Sequence, residues 1–108
     1  MKFEYKGKEY TLEFNRATVT MAERAGFTME DFDQKLMTRI PELFYYAFKM
    51  HHPEVTKKLS DEILFEGFNG LTASEMKELG DLYAEPYKTL INTEEDGEEK
   101  NERKVKML

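Results

Sequence analysis

The 108-residue chain contains no cysteine and no tryptophan. Without cysteine it can form no disulfide framework, no thiol nucleophile and no cysteine-ligated zinc site. No apolar run approaches the roughly 20 residues of a membrane-spanning helix, and from the first residues we expect no signal peptide. Positive charge is also in deficit, because 16 Lys and Arg stand against 22 Asp and Glu, a net charge of −6. We therefore expect a small cytoplasmic protein that binds neither nucleic acid nor a membrane.

Residues that would carry catalytic chemistry are scarce as well. His51 and His52 are the only histidines, with Glu54 close by. Adjacent helical residues point about 100° apart, so the two imidazoles do not chelate one metal as an i, i+4 pair would. No phosphate-binding, dinucleotide-binding or EF-hand motif is present. We predict no catalytic residues, no metal and no cofactor. A small enzyme centred on these three residues is kept as an alternative.

Residues 2–14 alternate between apolar and polar side chains, the pattern of a half-buried pair of strands. Gly7-Lys8 predicts a two-residue turn of type II′, with glycine at its first central position. That turn would pair Tyr5 with Tyr10 and Phe3 with Leu12, so that one face of the hairpin is entirely apolar. Because an isolated hairpin is marginal in water, we expect this face to cover a core.

The chain after the hairpin has the periodicity of helices. Asn15 is a good N-cap for the first helix, and Pro41 would fall in the first turn of the third. The short second helix would turn Met29, Phe32 and Leu36 inward. Pro86 should kink the last helix, because proline removes one helical hydrogen bond. The predicted helices span residues 16–25, 29–36, 40–51, 54–66 and 73–91.

Residues 92–108 carry six acidic and four basic residues and few apolar ones. Such a segment cannot bury enough apolar surface to offset its ordering entropy, so we predict a charged, disordered tail. The predicted fold class is α+β, mainly α: an N-terminal β-hairpin packed on a small bundle of four to five helices. Residues 1–91 form the predicted single globular domain.

Several large apolar side chains lie off the main stripes of their predicted helices. Contiguous exposed apolar patches usually mark protein contacts, and tyrosine is favoured at such interfaces. The alternative is a central helix that is apolar on two sides because it packs against both the hairpin and a neighbouring helix. The candidate partner-binding residues are Tyr45, Tyr46, Leu64, Phe65 and Phe68.

Four stretches resemble a family of small proteins encoded by phages and prophages of Gram-positive bacteria. They are residues 3–16 (FEYKGKEYTLEFNR), 23–27 (ERAGF), 43–53 (LFYYAFKMHHP) and 79–87 (LGDLYAEPY). Within that family the chain is similar to the tail assembly chaperones of phages with long, non-contractile tails. These motifs are fold patterns and not catalytic signatures.

The resemblance implies a non-enzymatic function in the cytoplasm of the bacterial host. A protein of this kind binds the tape measure protein, a long and aggregation-prone helical protein, and keeps it soluble during tail morphogenesis. It is not expected in the mature virion. The resemblance also implies two further kinds of contact: binding to the major tail protein and self-association. The alternative is another small phage protein, either a head–tail connector component or an adaptor that binds a host protein.

Such a chaperone needs an apolar groove for an amphipathic helix and enough net charge to keep the complex soluble. The five candidate partner-binding residues are the predicted lining of that groove. The resemblance itself assigns no binding residue.

Overall fold

The structure, a computed structural model, describes residues 1–91 and 104–108. An antiparallel hairpin is followed by helices, which confirms the predicted α+β, mainly α class. Within the described residues, no helix is both long enough and apolar enough to cross a membrane. The regular elements are β1 (Lys2–Tyr5), β2 (Lys8–Thr11), α1 (Arg16–Arg24), a 3₁₀ turn (Phe32–Gln34), α2 (Leu36–Ala47), α3 (Lys57–Glu62), a π turn (Ile63–Gly67), α4 (Ala73–Ala84) and a second 3₁₀ turn (Glu85–Thr89).

The hairpin closes one residue earlier than predicted. Its turn residues are Lys6 and Gly7, with φ angles of 50° and 81°, as a type I′ turn requires. Phe3 therefore lies opposite Tyr10, with ring centroids 5.5 Å apart, and the predicted pairing of Phe3 with Leu12 is wrong. The two registers differ by two residues in the partner strand. Because side chains alternate with a period of two, the apolar face is the same in both registers.

The first helix begins where its capping residue predicts. The Asn15 side chain accepts a hydrogen bond from the Thr18 backbone N–H, and the Asn15 N–H donates to the Thr18 hydroxyl, both at 2.9 Å. This reciprocal pair gives a hydrogen-bond partner to two backbone N–H groups, which would otherwise have none at the start of the helix. The prediction of a helix over 16–25 is confirmed by α1.

The second predicted helix, 29–36, does not form, and the third begins and ends earlier than predicted. The short 3₁₀ turn replaces the second helix, and Met29 and Leu36 are exposed instead of inward. Helix α2 starts at Leu36 and ends at Ala47, whereas the prediction was 40–51. Pro41 accordingly lies inside the helix and not in its first turn. Since Lys35 provides no side-chain cap, the sequence carries no local signal for this start.

Arg39 holds the 3₁₀ turn against α2. Its guanidinium donates to both carboxylate oxygens of Asp31, at 2.8 and 3.0 Å, and to Glu42 at 2.8 Å. Bidentate arginine–carboxylate pairs fix orientation as well as distance. The pairing across eight residues explains how α2 starts without a cap of its own.

The last two predicted helices are shorter than expected. Thr56 caps α3 through the Leu59 N–H, so residues 54–56 precede the helix predicted for 54–66. After α3 the helix widens into the π turn, in which the Phe68 N–H donates to the Ile63 carbonyl at 2.8 Å. Helix α4 ends at Ala84, not at residue 91, and Pro86 lies in the 3₁₀ turn that follows. Proline thus ends the α-helical hydrogen bonding here and does not merely bend the helix.

The core lies between the apolar face of the hairpin, helices α1, α2 and α4, and the π turn. Phe3 packs edge-on against both Phe48 and Phe68, with centroids 6.2 and 4.9 Å apart. Edge-to-face pairs of this kind add to the energy of area burial. The largest fully buried side chains are Phe44, Phe48, Leu12, Leu43, Ile63, Leu64, Leu79 and Val55.

The predicted tail falls mostly outside the described residues, which exclude 92–103. Residues 104–108 form neither helix nor strand, and all five are exposed.

Candidate functional site: an apolar groove

An apolar groove of about 180 Å³ lies between the first half of α2, the π turn and the start of α4. None of the lining residues carries a charge or a polar side chain, so the groove can bind apolar groups but offers no acid, base or metal ligand. Its lining is Leu36, Met37, Ile40, Pro41, Leu64, Phe65, Gly70, Leu71 and Met76.

Helix α2 supplies the first wall. Leu36 and Ile40 are four residues apart and therefore lie on one face of the helix, one turn from each other. Met37 stands at the rim, where 88% of its surface is exposed. Pro41 cannot donate to the Met37 carbonyl, because proline has no backbone N–H. Exposed methionine provides a flexible and polarisable surface that adapts to different apolar partners.

The π turn supplies the second wall. Leu64 is buried at the base, whereas Phe65 has 52% of its surface exposed. Leu64 and Phe65 are consecutive, yet both line the groove. The i→i+5 hydrogen bonding of the π turn widens the helix locally and so allows this. Single π turns of this kind occur often at functional sites.

The hairpin contacts the π turn at Gly67, which is not among the residues that line the groove. The Tyr5 ring lies so close to Gly67 that a Cβ atom built at that position would be 2.8 Å from two ring carbons. The Tyr5 hydroxyl donates to Glu62 at 2.7 Å, and Lys6 reaches the same carboxylate oxygen at 3.3 Å. The Tyr5 hydrogen bond, with help from Lys6, lowers the pKa of Glu62 below its usual value. The same hydrogen bond raises the pKa of Tyr5. The hairpin therefore fixes where Phe65 is presented.

The start of α4 supplies the third wall. Gly70 has a φ of 91°, which lets the chain reverse between the π turn and α4. Thr72 and Glu75 form a capping box, with the Glu75 N–H donating to Thr72 at 3.1 Å and the Thr72 N–H donating to Glu75 at 2.8 Å. This cap sets the direction of α4 and so places Leu71 and Met76 on the groove.

Charges near the α2 end of the groove are mutually compensated. The hydrogen bonds from Arg39 hold the pKa of Asp31 at about 2, below the ordinary value of 3.8. Lys35 adds an ion pair to Asp31 at 3.4 Å. With Glu42 also paired, the cationic groups here are already engaged, and the groove floor stays free of net charge.

The structure brings two of the five predicted partner-binding residues, Leu64 and Phe65, to the groove. Phe68 packs in the core instead, against Phe3 and against Phe44, 5.6 Å away. Tyr45 and Tyr46 are half-buried on α2, where their rings contact each other at 5.0 Å. Lys49 lies over the Tyr45 ring at 4.3 Å.

Sequence reasoning missed the α2 wall, Leu36, Met37 and Ile40. The i, i+4 spacing of Leu36 and Ile40 was available as a signal, but the predicted helix began only at residue 40. Since α2 starts through the distant Arg39–Asp31 pair and not through a capping residue, local pattern alone did not extend it.

Both histidines contact the hairpin. The His52 Nε2 atom accepts a hydrogen bond from the Thr11 backbone N–H at 2.9 Å. His51 lies 2.6 Å from Glu13. Across residues 1–91 and 104–108, no group of three or more acidic or histidine side chains is arranged to hold a metal ion. His52 thus contacts the end of β2, and His51 contacts the segment that follows it.

Comparison with known proteins gives a family and no named relative. The chain matches the family model described as Domain of unknown function (DUF5055) over residues 1–107, and it belongs to that family. Neither the curated proteins nor the solved structures gave a match.

Proposed function

We propose that this DUF5055 protein is a non-enzymatic assembly chaperone that binds an apolar helix of a partner protein in the groove. The resemblance noted in the sequence suggests the partner: the tape measure protein of a phage or prophage tail. In this proposal the protein shields apolar side chains of the tape measure protein until the tail tube polymerises around it.

One observation carries the proposal, namely the apolar groove with its exposed rim. Met37 and Phe65 leave large apolar surfaces in water on opposite walls of one concave site. Exposed apolar patches on small proteins commonly mark interaction sites. Grooves of this kind take one face of an amphipathic helix, with side chains at i, i+3 or i+4 as anchors.

The size of the groove indicates what it holds. A volume of about 180 Å³ is below the roughly 300–1,000 Å³ typical of small-molecule sites. Enclosed apolar cavities of about 150 Å³ hold one benzene ring. The groove therefore suits one large apolar side chain, with its neighbours on the partner helix resting on the rim.

The test is co-expression of the chain with a phage tape measure protein, followed by co-purification. Met37→Asp and Phe65→Asp each place a charge on the rim without disturbing a buried side chain. We expect each to lower recovery of the partner about tenfold, the effect of losing about 1.4 kcal/mol of binding energy.

Met21→Asp is the matched control, because Met21 is an exposed methionine on α1 outside the groove, with 46% of its surface in water. It should leave recovery unchanged. Equal recovery with all three variants would contradict the assignment of the groove. A tight complex with a different phage or host protein, and none with the tape measure protein, would favour an adaptor function.

A further inference from the structure

We propose that the outer edge of β1 pairs with β1 of a second copy of this chain, so that two hairpins form one four-stranded antiparallel sheet. In the described part of the chain, β2 is the only strand beside β1. The other edge of β1 therefore has no partner strand. Such an edge presents a row of backbone N–H and C=O groups that can pair with another strand.

The hydrogen bonds of the hairpin show which backbone groups point to that edge. The Leu12 N–H donates to the Met1 carbonyl at 2.8 Å, and the Met1 amino group donates to the Leu12 carbonyl at 3.2 Å. Because hydrogen-bonded and non-hydrogen-bonded pairs alternate in an antiparallel ladder, Lys2 and Glu4 direct their backbone groups away from β2. Within the described residues, no hydrogen bond from another segment reaches these groups.

The outer edge of β2, in contrast, contacts the rest of the fold. The Thr11 N–H donates to His52 at 2.9 Å, and the Glu13 N–H, just after the strand, donates to the Ala47 carbonyl at 3.0 Å. Another strand could not pair at these positions without breaking both hydrogen bonds. The hairpin is therefore available for pairing through β1.

Charge identifies a second copy as the partner and fixes the register. A two-fold axis at Phe3 places the exposed Lys2 of each copy opposite the exposed Glu4 of the other, and each such pair can exchange two backbone hydrogen bonds. Opposite charges across a strand pair stabilise it. An axis one residue earlier or later would instead set Lys2 against Lys2 or Glu4 against Glu4, and like charges destabilise the pair.

The same pairing brings a cation to an acidic part of the hairpin. Glu4 lies opposite Glu9, and among the described residues neither glutamate forms an ion pair, nor does Lys2. Lys2 of the second copy would stand on the free side of Glu4, in the row that the two glutamates form. A lysine on a strand edge commonly prevents pairing with other chains. Here it would meet an acid in each copy.

Sedimentation equilibrium of the full chain tests the pairing. Because each copy contributes one short strand, we expect a weak dimer, with a dissociation constant of about 0.1–1 mM. Lys2→Glu sets acids opposite each other and should weaken the dimer about tenfold or more. The double variant Lys2→Glu/Glu4→Lys exchanges the two charges without changing the composition, and should restore the dissociation constant to within about twofold of the wild type.

Lys88→Glu is the matched control for net charge, because Lys88 is an exposed lysine in the second 3₁₀ turn, away from β1. It should leave dimerisation within about twofold of the wild type. A wild-type chain that stays monomeric at about 1 mM would overturn the inference. So would equal weakening by Lys2→Glu and Lys88→Glu, or a double variant that does not recover.

A disulfide tests the register, since the chain has no cysteine of its own. Lys2→Cys chains are mixed with ¹⁵N-labelled Glu4→Cys chains and oxidised. In this register the two cysteines of a mixed dimer have Cα atoms about 5.5 Å apart, within the about 4.4–6.8 Å that a disulfide spans. Two cysteines at the same position would lie diagonally, about 7–8 Å apart. Mass spectrometry should therefore show the mixed dimer in clear excess over the proportion that random collision gives.

The matched control for the disulfide is a mixture of Glu9→Cys and Thr11→Cys chains, because these residues lie on β2. This control should give the proportions of random collision. The same proportions from the β1 mixture, or a predominance of symmetric dimers, would overturn the inference. No β1 residue lines the groove, so binding of a partner in the groove and pairing through β1 are tested separately.

Discussion

Replacing Gly67 with alanine tests how the hairpin supports the groove. Gly67 ends the π turn, and its backbone does not have the positive φ that would penalise alanine. In ordinary helical positions, Gly→Ala stabilises a protein by about 0.5–1 kcal/mol. Here the new Cβ would lie 2.8 Å from the Cδ1 and Cε1 atoms of Tyr5, well inside normal contact of 3.4–4 Å. The two effects oppose each other, so the sign of the change is informative.

The expected magnitude follows from what has to move. Restoring normal contact requires a displacement of about 0.6 Å between the Tyr5 ring and Gly67, by the distances above. The ring is held by its hydroxyl, which donates to Glu62 at 2.7 Å. Overpacking of this kind costs about 1–3 kcal/mol. After the helical gain of alanine, we expect Gly67→Ala to lower the free energy of unfolding by about 1–2 kcal/mol.

Urea denaturation followed by circular dichroism measures this change. With a denaturant slope of about 2 kcal/mol/M, the midpoint should fall by about 0.5–1 M. Gly80→Ala is the matched control: Gly80 lies inside α4, and a Cβ there would meet nothing within 4 Å. This variant should be more stable than the wild type by about 0.5–1 kcal/mol.

The double variant Tyr5→Ala/Gly67→Ala completes the test. If the clash is the cause, removing the ring should make the Gly67→Ala step favourable, with a coupling energy of about 1 kcal/mol or more. A wild-type or higher stability for Gly67→Ala in the presence of Tyr5 would refute the packing argument. So would a coupling energy near zero.

Three further predictions concern hydrogen bonds and ion pairs. His52→Phe keeps an aromatic ring but leaves the Thr11 N–H unpaired, so stability should fall by about 1–3 kcal/mol; His52→Gln, which can still accept, should lose less. The Ser60 hydroxyl is buried without a hydrogen-bond partner among the described residues. Ser60→Ala should therefore raise the thermal midpoint or leave it unchanged, and a clear fall would contradict this reading. The hydrogen bonds from Arg39 lower the pKa of Asp31 from 3.8 to about 2. The pair therefore stabilises the fold fully above about pH 4, and this contribution is lost as the pH falls towards 2. Thermal melts across that range should show the loss in the wild type but a smaller one in Asp31→Asn, and identical pH profiles would count against the pair with Arg39.

Capping signals were the most reliable part of the sequence. Asn15 predicted the start of α1, and the last predicted helix, 73–91, begins where α4 does, because a cap such as Asn15 or Thr72 acts through backbone groups two or three residues away. Where a helix start depends on a distant partner, as for α2 with Arg39 and Asp31, the prediction was displaced by four residues. The hairpin shows the same limit, because two registers that differ by two residues expose the same face.

The candidate site was only partly accessible to sequence reasoning. Leu64 and Phe65 stood out as apolar residues beyond the stripe of their helix, which is a local property. Phe68 stood out equally, yet its ring packs against Phe3 from the hairpin, more than 60 positions earlier in the chain. The sequence pattern shows which apolar residues lie off the main helix stripe. It does not show which of them pack against a distant segment, as Phe68 does, and which remain exposed, as Phe65 does.

The sequence by itself therefore determined the local elements of this protein: an alternating hairpin, capped amphipathic helices and a charged segment at the C-terminal end. These follow from side-chain periodicity and from hydrogen bonds between near neighbours. Only the tertiary structure decided the register of the hairpin, the π turn and the groove. Each of these depends on contacts between segments far apart in the chain, such as Tyr5 on Gly67, and their energies do not appear in any local pattern.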